Sequence, residues 1–180
     1  VLGDAGHGGA GTVIDALLSH LPITFYGVGM KPDGSFPLGV PNPMLRQQQT
    51  RTSAALLEVG ADIGVAWDGD FDRCFFYDEL GRYIDPYYIV GLMSDWFLKQ
   101  SPRNNIVHDI RLAWYTESAI HQGGGVSCPS KSGHSFMKIA MRRYDAIYGG
   151  ETTGHHYFRR FYYCDSGIIP FLIMLTILSN

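Results

Sequence analysis

Short apolar runs rich in β-forming residues alternate with segments of helical periodicity along the chain. The run at residues 63–67 is short and almost wholly apolar, which is typical of a strand buried on both faces. Residues 13–21 and 135–144 instead repeat apolar positions at helical spacing. Strands that alternate with helices pack into layers. We therefore expect an α/β protein with two consecutive layered domains, whose mixed, largely parallel sheets are flanked by helices.

Capping signals set the expected boundary between the two domains. Asp85 is suited to cap a helix and Pro86 to occupy its first position, so a new helix is expected to start there. The domains are accordingly expected at residues 1–84 and 85–180. Gly60 is expected to end an earlier helix, headed by residues 54–57, in a left-handed cap. The remaining expected elements are strands at 106–108, 126–128 and 146–148, a hairpin joining 74–77 to 82–84, helices at 116–122 and 135–144, and a final helix from Asp165.

Composition narrows the classes of partner. The 180 residues carry a formal net charge of −3, which gives no general field to attract nucleic acid or an anionic membrane, so we expect neither as a partner. The longest apolar stretch, residues 168–178, is too short to span a bilayer and is expected to be a buried core helix. Three well-separated cysteines without a CxxC spacing favour a reducing, cytoplasmic setting. The start at Val1 without an initiator methionine, and the helical pattern that stops at Asn180, lead us to expect an interior piece of a longer protein.

The sharpest motif is Asp68-Gly69-Asp70-Phe71-Asp72-Arg73, which places three carboxylates at alternate positions directly after a buried strand. Such carboxylates repel one another unless a cation lies among them. Hard oxygen ligands of this kind suit Mg²⁺, which completes its shell with water and phosphate oxygens. The motif therefore predicts a magnesium site at Asp68, Asp70 and Asp72.

This loop has two alternative interpretations, a calcium-binding loop and a surface turn. An EF-hand would place these aspartates and Glu79 at ligand positions, but Arg73 stands where the calcium loop needs glycine, and the flanking segments are typical of strands. An acidic surface turn without function stays open, since short motifs match by chance.

A second motif, Gly149-Gly150-Glu151-Thr152-Thr153-Gly154-His155-His156, also follows an expected strand. A carboxylate at Glu151 and a hydroxyl at Thr153 can hydrogen-bond neighbouring sugar hydroxyls. A glycine-rich turn with incidental polar residues is the alternative. Zinc binding by the two histidines lacks a third ligand at a recognised spacing.

Two basic segments lie at expected strand ends. Lys131-Ser132-Gly133-His134-Ser135 precedes a helix, whose N-terminus favours an anion, and His134 can also carry a proton. The alternative is that Ser135 caps the helix and Lys131 is merely solvated. Arg111, at the end of the strand at 106–108, can grip a phosphate bidentately.

Taken in order, these loops resemble the phosphohexomutase family, which interconverts hexose 1- and 6-phosphates. The acidic loop is similar to that family's DGDxDR, residues 131–134 to its KTGH and residues 150–155 to its GEMSGH sugar loop. Residues 6–11, 32–37 and 41–43 are also similar to the family's second domain. The segments 71–76, 109–114 and 163–167 are most similar to the phosphomannomutase branch, which serves GDP-mannose synthesis.

The resemblance implies a site and a reaction. Mg²⁺ would be held by Asp68, Asp70 and Asp72, Glu151 and Thr153 would read the sugar hydroxyls, and the hexose phosphate would also meet Arg73, Arg111, Lys131, His134 and His155, with Arg73 and His134 catalytic. An enzyme phosphoserine would transfer its phosphoryl group to the substrate through a bisphosphorylated sugar. The phosphoserine loop and the last domain, which grips the other phosphate, are not within these 180 residues, so the chain alone is expected to be inactive.

Other functions stay open from sequence alone. Thr152-Thr153 replaces Met-Ser in the sugar loop, so phosphoglucomutase activity or dual specificity is an alternative. A non-catalytic phosphosugar-binding module is a second. A haloacid-dehalogenase-type phosphatase, with Asp68 and Asp70 as its carboxylates, is disfavoured because that family expects Thr or Val at the position of Asp72.

Overall fold

In the computed structural model, which describes residues 1–179, the chain divides into two units, Val1–Ile84 and a second that starts at Asp85. Each unit contains one five-stranded sheet. The expected end of the second domain at Asn180 lies outside the described residues. Among the described residues, no helix is long and apolar enough to cross a membrane.

The first unit is a sheet with two helices of regular length. Its strands are β1 (Leu2–Asp4), β2 (Tyr26–Val28), β3 (Gly64–Trp67), β4 (Cys74–Tyr77) and β5 (Tyr83–Ile84), and its helices are α1 (Ala10–Leu18) and α2 (Arg46–Val59). The strand order is β2-β1-β3-β4-β5. The central strand β3 is buried at every position, as expected for a strand covered on both faces.

The second unit has more helix around a sheet of similar plan. Its strands are β6 (Asn105–Asp109), β7 (Val126–Ser130), β8 (Tyr148–Gly150), β9 (His156–Phe158) and β10 (Cys164–Asp165); its helices are α3 (Pro86–Gln100), α4 (Ala113–Gln122), α5 (His134–Arg143) and α6 (Ile168–Leu178), with 3₁₀ turns at Ile110–Leu112 and Arg159–Phe161. The strand order is β10-β9-β8-β6-β7.

Both sheets follow one topology. In each unit the first strand pairs in parallel with the second and third, and the third, fourth and fifth strands pair antiparallel in succession. The mixed character expected of the sheets is confirmed, with the parallel pairings on one side and the antiparallel ones on the other. Because β1 and β3 are parallel neighbours, as are β6 and β8, the loops that leave them emerge at one edge of each sheet.

Several local signals are confirmed. Gly60 ends α2 with a left-handed φ of 62°, and Asp85 caps α3 by accepting a hydrogen bond from the Tyr87 N–H, with Pro86 in the first turn. The hairpin between β4 and β5 is closed by the Asp78 N–H donating to the Arg82 carbonyl at 3.0 Å.

Other bounds differ from the expectation. Helix α2 begins at Arg46 rather than near Ala54, and α6 begins at Ile168 because the preceding residues form the edge strand β10. Helix α5 begins at His134 after Gly133, whose φ is +112°, so the alternative in which Ser135 caps the helix is wrong.

Each unit has its own apolar core. In the first unit the cluster comprises Leu2, Leu56, Ala61, Ala66 and Tyr77. In the second it comprises Val107, Cys128, Met137, Met141, Ala146 and Tyr157. These clusters fix the strands from which the polar loops emerge.

Candidate functional site

The acidic loop of the first unit brings its three aspartates together at the carboxyl end of β3. Asp68 is 1% exposed, Asp72 is partly buried and Asp70 is exposed. One carboxylate oxygen of each lies within 4.8 Å of the others. Strands β3 and β4 flank the loop, whereas an EF-hand would need helices.

Backbone contacts hold this loop in a tight turn. The Phe71 N–H donates to the Asp68 carbonyl at 3.1 Å, and Phe71 itself has a left-handed φ of 51°. From the loop after β1, the Gly9 N–H donates to the Gly69 carbonyl at 3.0 Å. A Cβ on Gly8 would lie 2.6 Å from the Gly69 oxygen. The turn therefore requires glycine at position 8.

Arg73 stabilises the buried end of the cluster. Its Nε donates to Asp68 Oδ2 at 2.6 Å and its backbone N–H to Oδ1 at 3.1 Å, while Asp72 lies 3.8 Å away. Burial raises the pKa of Asp68 to about 6, although Arg73 acts in the opposite direction. A carboxylate that is hard to keep ionised in isolation gains from a nearby cation.

The donor set fits a hard divalent cation. All three side chains offer carboxylate oxygens, the ligand type that Mg²⁺ prefers, and the loop supplies fewer oxygens than an octahedral ion needs. Water and phosphate oxygens would complete such a shell. Arg73 pairs with Asp68 at 2.6 Å and lies 3.8 Å from Asp72, whereas Asp70 is the exposed carboxylate of the three.

In the second unit, polar side chains gather where β6, β7 and β8 end. Asp109 ends β6, residues 131–134 follow β7, and residues 151–155 follow β8. These three strands are parallel neighbours, so their carboxyl ends meet at one edge.

Glu151 connects two of these loops. It is 1% exposed. Its Oε1 accepts hydrogen bonds from Ser132 Oγ at 2.9 Å and from the Gly133 N–H at 2.6 Å, and its Oε2 accepts one from the Tyr157 hydroxyl. Both carboxylate oxygens are thus engaged by protein groups.

The guanidinium of Arg111 contacts Asp109, although the Arg111 side chain remains 56% exposed. Its Nε and Nη2 both donate to the Asp109 carboxylate, and Nη2 also donates to Ser132 Oγ at 2.9 Å. Burial raises the pKa of Asp109, but the hydrogen bonds from Arg111 and Thr152 outweigh it and lower the pKa to about 2. The bidentate grip expected for a phosphate is therefore made to Asp109 in this structure.

The two histidines expected at the site are adjacent. The rings of His134 and His155 lie 4.3 Å apart between centroids, with an interplanar angle of 67°. His155 Nδ1 lies 2.9 Å from Thr153 Oγ1 and 3.4 Å from Glu151 Oε2. Lys131 is exposed, with Nζ 5.6 Å from the centroid of the Phe136 ring.

The structure thus brings Arg111, His134, Glu151, Thr153 and His155 together at one edge of the second sheet, with Lys131 on the neighbouring loop. Four further participants were missed from sequence: Asp109, Ser132, Tyr157 and Asp165. Asp109 and Ser132 lie within the segments 109–111 and 131–135 discussed above, so their positions in the sequence could have identified them as site residues. Tyr157 lies on the short strand β9 but within no motif. Asp165 lies within the segment 163–167, whose resemblance to the family gave this residue no role.

Comparison with known proteins identifies the family. Residues 1–81 match the family model described as phosphoglucomutase/phosphomannomutase, alpha/beta/alpha domain II, and residues 85–180 match the one described as domain III. The two family models together match both units of the chain.

Similar proteins agree with these matches. A protein named phosphohexose mutases from Xanthomonas campestris pv. campestris is 50% identical over 177 residues, which is 98% of this chain and 40% of that protein. A phosphomannomutase from Salmonella typhimurium is 51% identical over 95% of this chain and 39% of its own length. The crystal structure of a phosphoglucomutase/phosphomannomutase family protein from Burkholderia thailandensis superposes with a TM-score of 0.93 at 30% identity, over 99% of this chain and 39% of that one. The chain spans about two fifths of these relatives, and it belongs to the phosphoglucomutase/phosphomannomutase family.

Proposed function

We propose that this chain is the part of a phosphomannomutase that carries its metal loop and its sugar loop. The whole enzyme would interconvert mannose 6-phosphate and mannose 1-phosphate in the cytoplasm, through an enzyme phosphoserine and a bisphosphorylated sugar, for GDP-mannose and polysaccharide precursors. Relatives named phosphomannomutase at 51% and 48% identity support mannose as the sugar. Glucose phosphates are the alternative substrates, because the configuration at one sugar carbon is decided by geometry at the pocket.

The observation that carries the proposal is the convergence of Asp68, Asp70 and Asp72 at the end of a buried strand. Phosphoryl transfer depends on positioning and on neutralising developing negative charge. A bound Mg²⁺ would supply that neutralisation at the transferred phosphoryl group. Arg73 would orient Asp68 and add a positive charge beside it.

The second unit would hold the sugar phosphate. Glu151 and Thr153 would read the sugar hydroxyls, with Arg111, Lys131, His134 and His155 around the substrate. Because both oxygens of Glu151 already accept hydrogen bonds, a sugar hydroxyl must share an oxygen with one of these donors or displace it. Similarly, Arg111 must keep or exchange its contacts with Asp109 when phosphate arrives.

Catalysis would also need groups outside these 180 residues. The phosphoserine and the domain that grips the non-reacting phosphate would come from the parts of the enzyme that correspond to the remaining length of its relatives. The chain alone is therefore expected to bind Mg²⁺ weakly and not to turn over. Mutase activity from residues 1–180 alone would contradict the proposal that catalysis needs groups from the other parts of the enzyme.

A coupled assay of the full-length protein with mannose 1-phosphate and glucose 1-phosphate, with and without Mg²⁺, tests the function. Asp70→Asn is the informative variant, because Asp70 is exposed and its loss leaves the core unchanged. We expect turnover to depend on Mg²⁺ and to fall by roughly 100-fold or more in this variant, since the cation stabilises transition-state charge. Asp62→Asn, an exposed aspartate before β3, is the matched control and should retain activity.

Two results would change the assignment. Turnover of glucose 1-phosphate alone would make the enzyme a phosphoglucomutase. Binding of sugar phosphate without turnover, from an intact and phosphorylated full-length protein, would support the non-catalytic binding module instead.

A further inference from the structure

Asp165, on the short strand β10, contacts two basic side chains of helix α5. Its Oδ1 lies 2.9 Å from Lys138 Nζ, and its Oδ2 lies 2.9 Å from His134 Nδ1. His134 is the first residue of α5 and Lys138 follows one turn later, so both project from the same side of the helix. The Asp165 side chain is 7% exposed. A nearly buried carboxylate thus links two basic groups at the start of one helix.

The backbone fixes the position of this carboxylate. Asp165 pairs antiparallel with Tyr157 of β9, and the next residue, Ser166, donates its N–H to the His156 carbonyl at 3.1 Å. Lys138 Nζ also lies 6.0 Å from the centroid of the Tyr157 ring. Since strand pairing holds Asp165 and the ring lies beside Lys138, the contact is part of the fold rather than a chance surface pair.

The first turn of helix α5 lies at the positive end of the helix dipole, where a nearby negative charge is stabilising. The positive end of a helix dipole disfavours cationic side chains in the first turn, and α5 has no acidic residue there. Asp165, on the neighbouring strand β10, adds a second negative charge to that of Glu151, which already accepts a hydrogen bond from the N–H of the N-cap residue Gly133.

The arrangement distinguishes the two nitrogens of His134. Among residues 1–179, none donates a hydrogen bond of ordinary geometry to Asp165 Oδ2, so the contact of this oxygen with His134 Nδ1 is an electrostatic one. A carboxylate beside Nδ1 favours a proton on that nitrogen. A neutral imidazole has one N–H, so Nε2 is then left as the proton acceptor. The His134 side chain is 46% exposed, which leaves the ring accessible to a ligand.

We propose that Asp165 is a positioning residue for His134, which holds the imidazole with its proton on Nδ1 and presents Nε2 to the sugar phosphate. The inference rests on the proposed function, in which His134 lies beside the substrate, and it adds that this histidine exchanges a proton with the substrate. On phosphorylation the O–P bond of the phosphoserine breaks, a bond forms between that phosphorus and the sugar oxygen, and the proton that the sugar hydroxyl loses moves to His134 Nε2. Nδ1 keeps its own proton, and Asp165 stabilises the resulting imidazolium.

The first test measures the tautomer of His134 on the 180-residue chain itself. Long-range nitrogen–proton NMR spectra separate an imidazole protonated on Nδ1 from one protonated on Nε2. We expect the Nδ1-protonated form in the wild type and in Asp165→Glu, and a shift towards the Nε2-protonated form in Asp165→Asn. An identical His134 spectrum in the wild type and Asp165→Asn would overturn the inference.

The second test uses the full-length enzyme. Asp165→Asn should lower kcat by roughly 10- to 100-fold with little change in KM, because it affects the orientation of His134 more than substrate binding. Asp165→Glu should recover part of the loss. Asp145→Asn is the matched control, since Asp145 also pairs with a basic side chain, Arg159, but is exposed, and it should leave kcat unchanged.

The two tests separate failure of the inference from failure of the proposed function. A full-length protein without mutase activity would refute the function, whereas the tautomer measurement would still report on Asp165 and His134. An active full-length protein in which Asp165→Asn retains the wild-type kcat would refute the role of Asp165 alone.

Discussion

His156 is fully buried in the second unit, and its Nδ1 lies 2.6 Å from the Tyr148 hydroxyl. Burial lowers the pKa of His156 from 6.5 to about 3, with a smaller contribution from His155. The folded chain contains His156 in its neutral form. Folding is therefore favoured as long as the imidazole is also neutral in the unfolded chain. Protonation in the unfolded chain therefore competes with folding as the pH falls.

This coupling predicts a loss of stability in mild acid. Because the folded pKa lies below the unfolded one, the contribution of His156 is fully present above 6.5 and is lost as the pH falls from there towards 3. Each proton taken up on unfolding changes stability by about 1.4 kcal/mol per pH unit. Urea unfolding of the chain at several pH values between these limits should show this slope.

Two variants isolate the His156 contribution. His156→Asn keeps an acceptor for the Tyr148 hydroxyl and should flatten the slope. His121→Gln changes an exposed histidine and should leave the slope as in the wild type. Equal slopes in the wild type and His156→Asn would show that other groups cause the acid sensitivity.

Gly8 offers a second prediction at this scale. A Cβ there would lie 2.6 Å from the Gly69 oxygen and 2.9 Å from its Cα, so the backbone of the acidic loop must move in Gly8→Ala. We expect a stability loss of roughly 1–3 kcal/mol and weaker binding of Mn²⁺, measured by electron paramagnetic resonance as a probe of the cation site. Gly34→Ala, where a Cβ would meet no atom of the described part of the chain within 4 Å, should change neither quantity.

At the scale of elements, the sequence predicted those helices and strands whose signals are local. The apolar run of β3 and the caps of α2 and α3 depend on neighbouring residues alone. The first half of α2 is polar, and its helical state depends on tertiary contacts, such as Gln48 Nε2 donating to the Leu38 carbonyl. The strands β2, β9 and β10 have two or three residues each, too few to show alternation.

The candidate site shows the same division. The positions of its loops follow from the motifs and from the rule that the carboxyl ends of parallel strands meet at one edge of a sheet. The partners of individual side chains do not, because they depend on which strands are neighbours. Arg111 meets Asp109 only because the 3₁₀ turn after β6 folds its side chain back on the strand end.

The cap of α3 gives the prediction at this scale. Asp85 accepts a hydrogen bond from the Tyr87 N–H at 2.8 Å, and Asp85→Ala should lower stability by about 1 kcal/mol, as loss of an N-cap does. Asp85→Asn should retain most of the stability. Asp95→Ala, which removes an exposed pair with Lys99 within the same helix, should cost at most about 0.5 kcal/mol. Guanidinium unfolding of the three variants would contradict the prediction if Asp85→Ala cost no more than Asp95→Ala.

At the scale of the whole molecule, each unit contains a complete sheet and its own core. We expect residues 85–180 expressed alone to fold, because all strand pairings of the second sheet lie within them. Circular dichroism and dispersed amide NMR signals would test this. A disordered spectrum would show that this sheet depends on the first unit.

The repeated topology also extends to the residues at the strand ends. In the first unit the carboxylate that ends the first strand, Asp4, is held by Arg51 and Thr52. In the second, Asp109 is held by Arg111 and Thr152. The third strand of each unit is likewise followed at once by a nearly buried acidic residue, Asp68 or Glu151.

In a shared framework of this kind, the sheets stabilise the fold, and the loops at the strand ends decide which ligand is bound. The strands and the carboxylate that ends the first strand are common to both units, while the loop after the third strand would, under the proposed function, bind a cation in one unit and a sugar hydroxyl in the other. Duplication followed by divergence of single loops would produce such a pair without any new fold. Ligand preference in this family can therefore change through a few loop residues, while the sheets beneath them stay as they are.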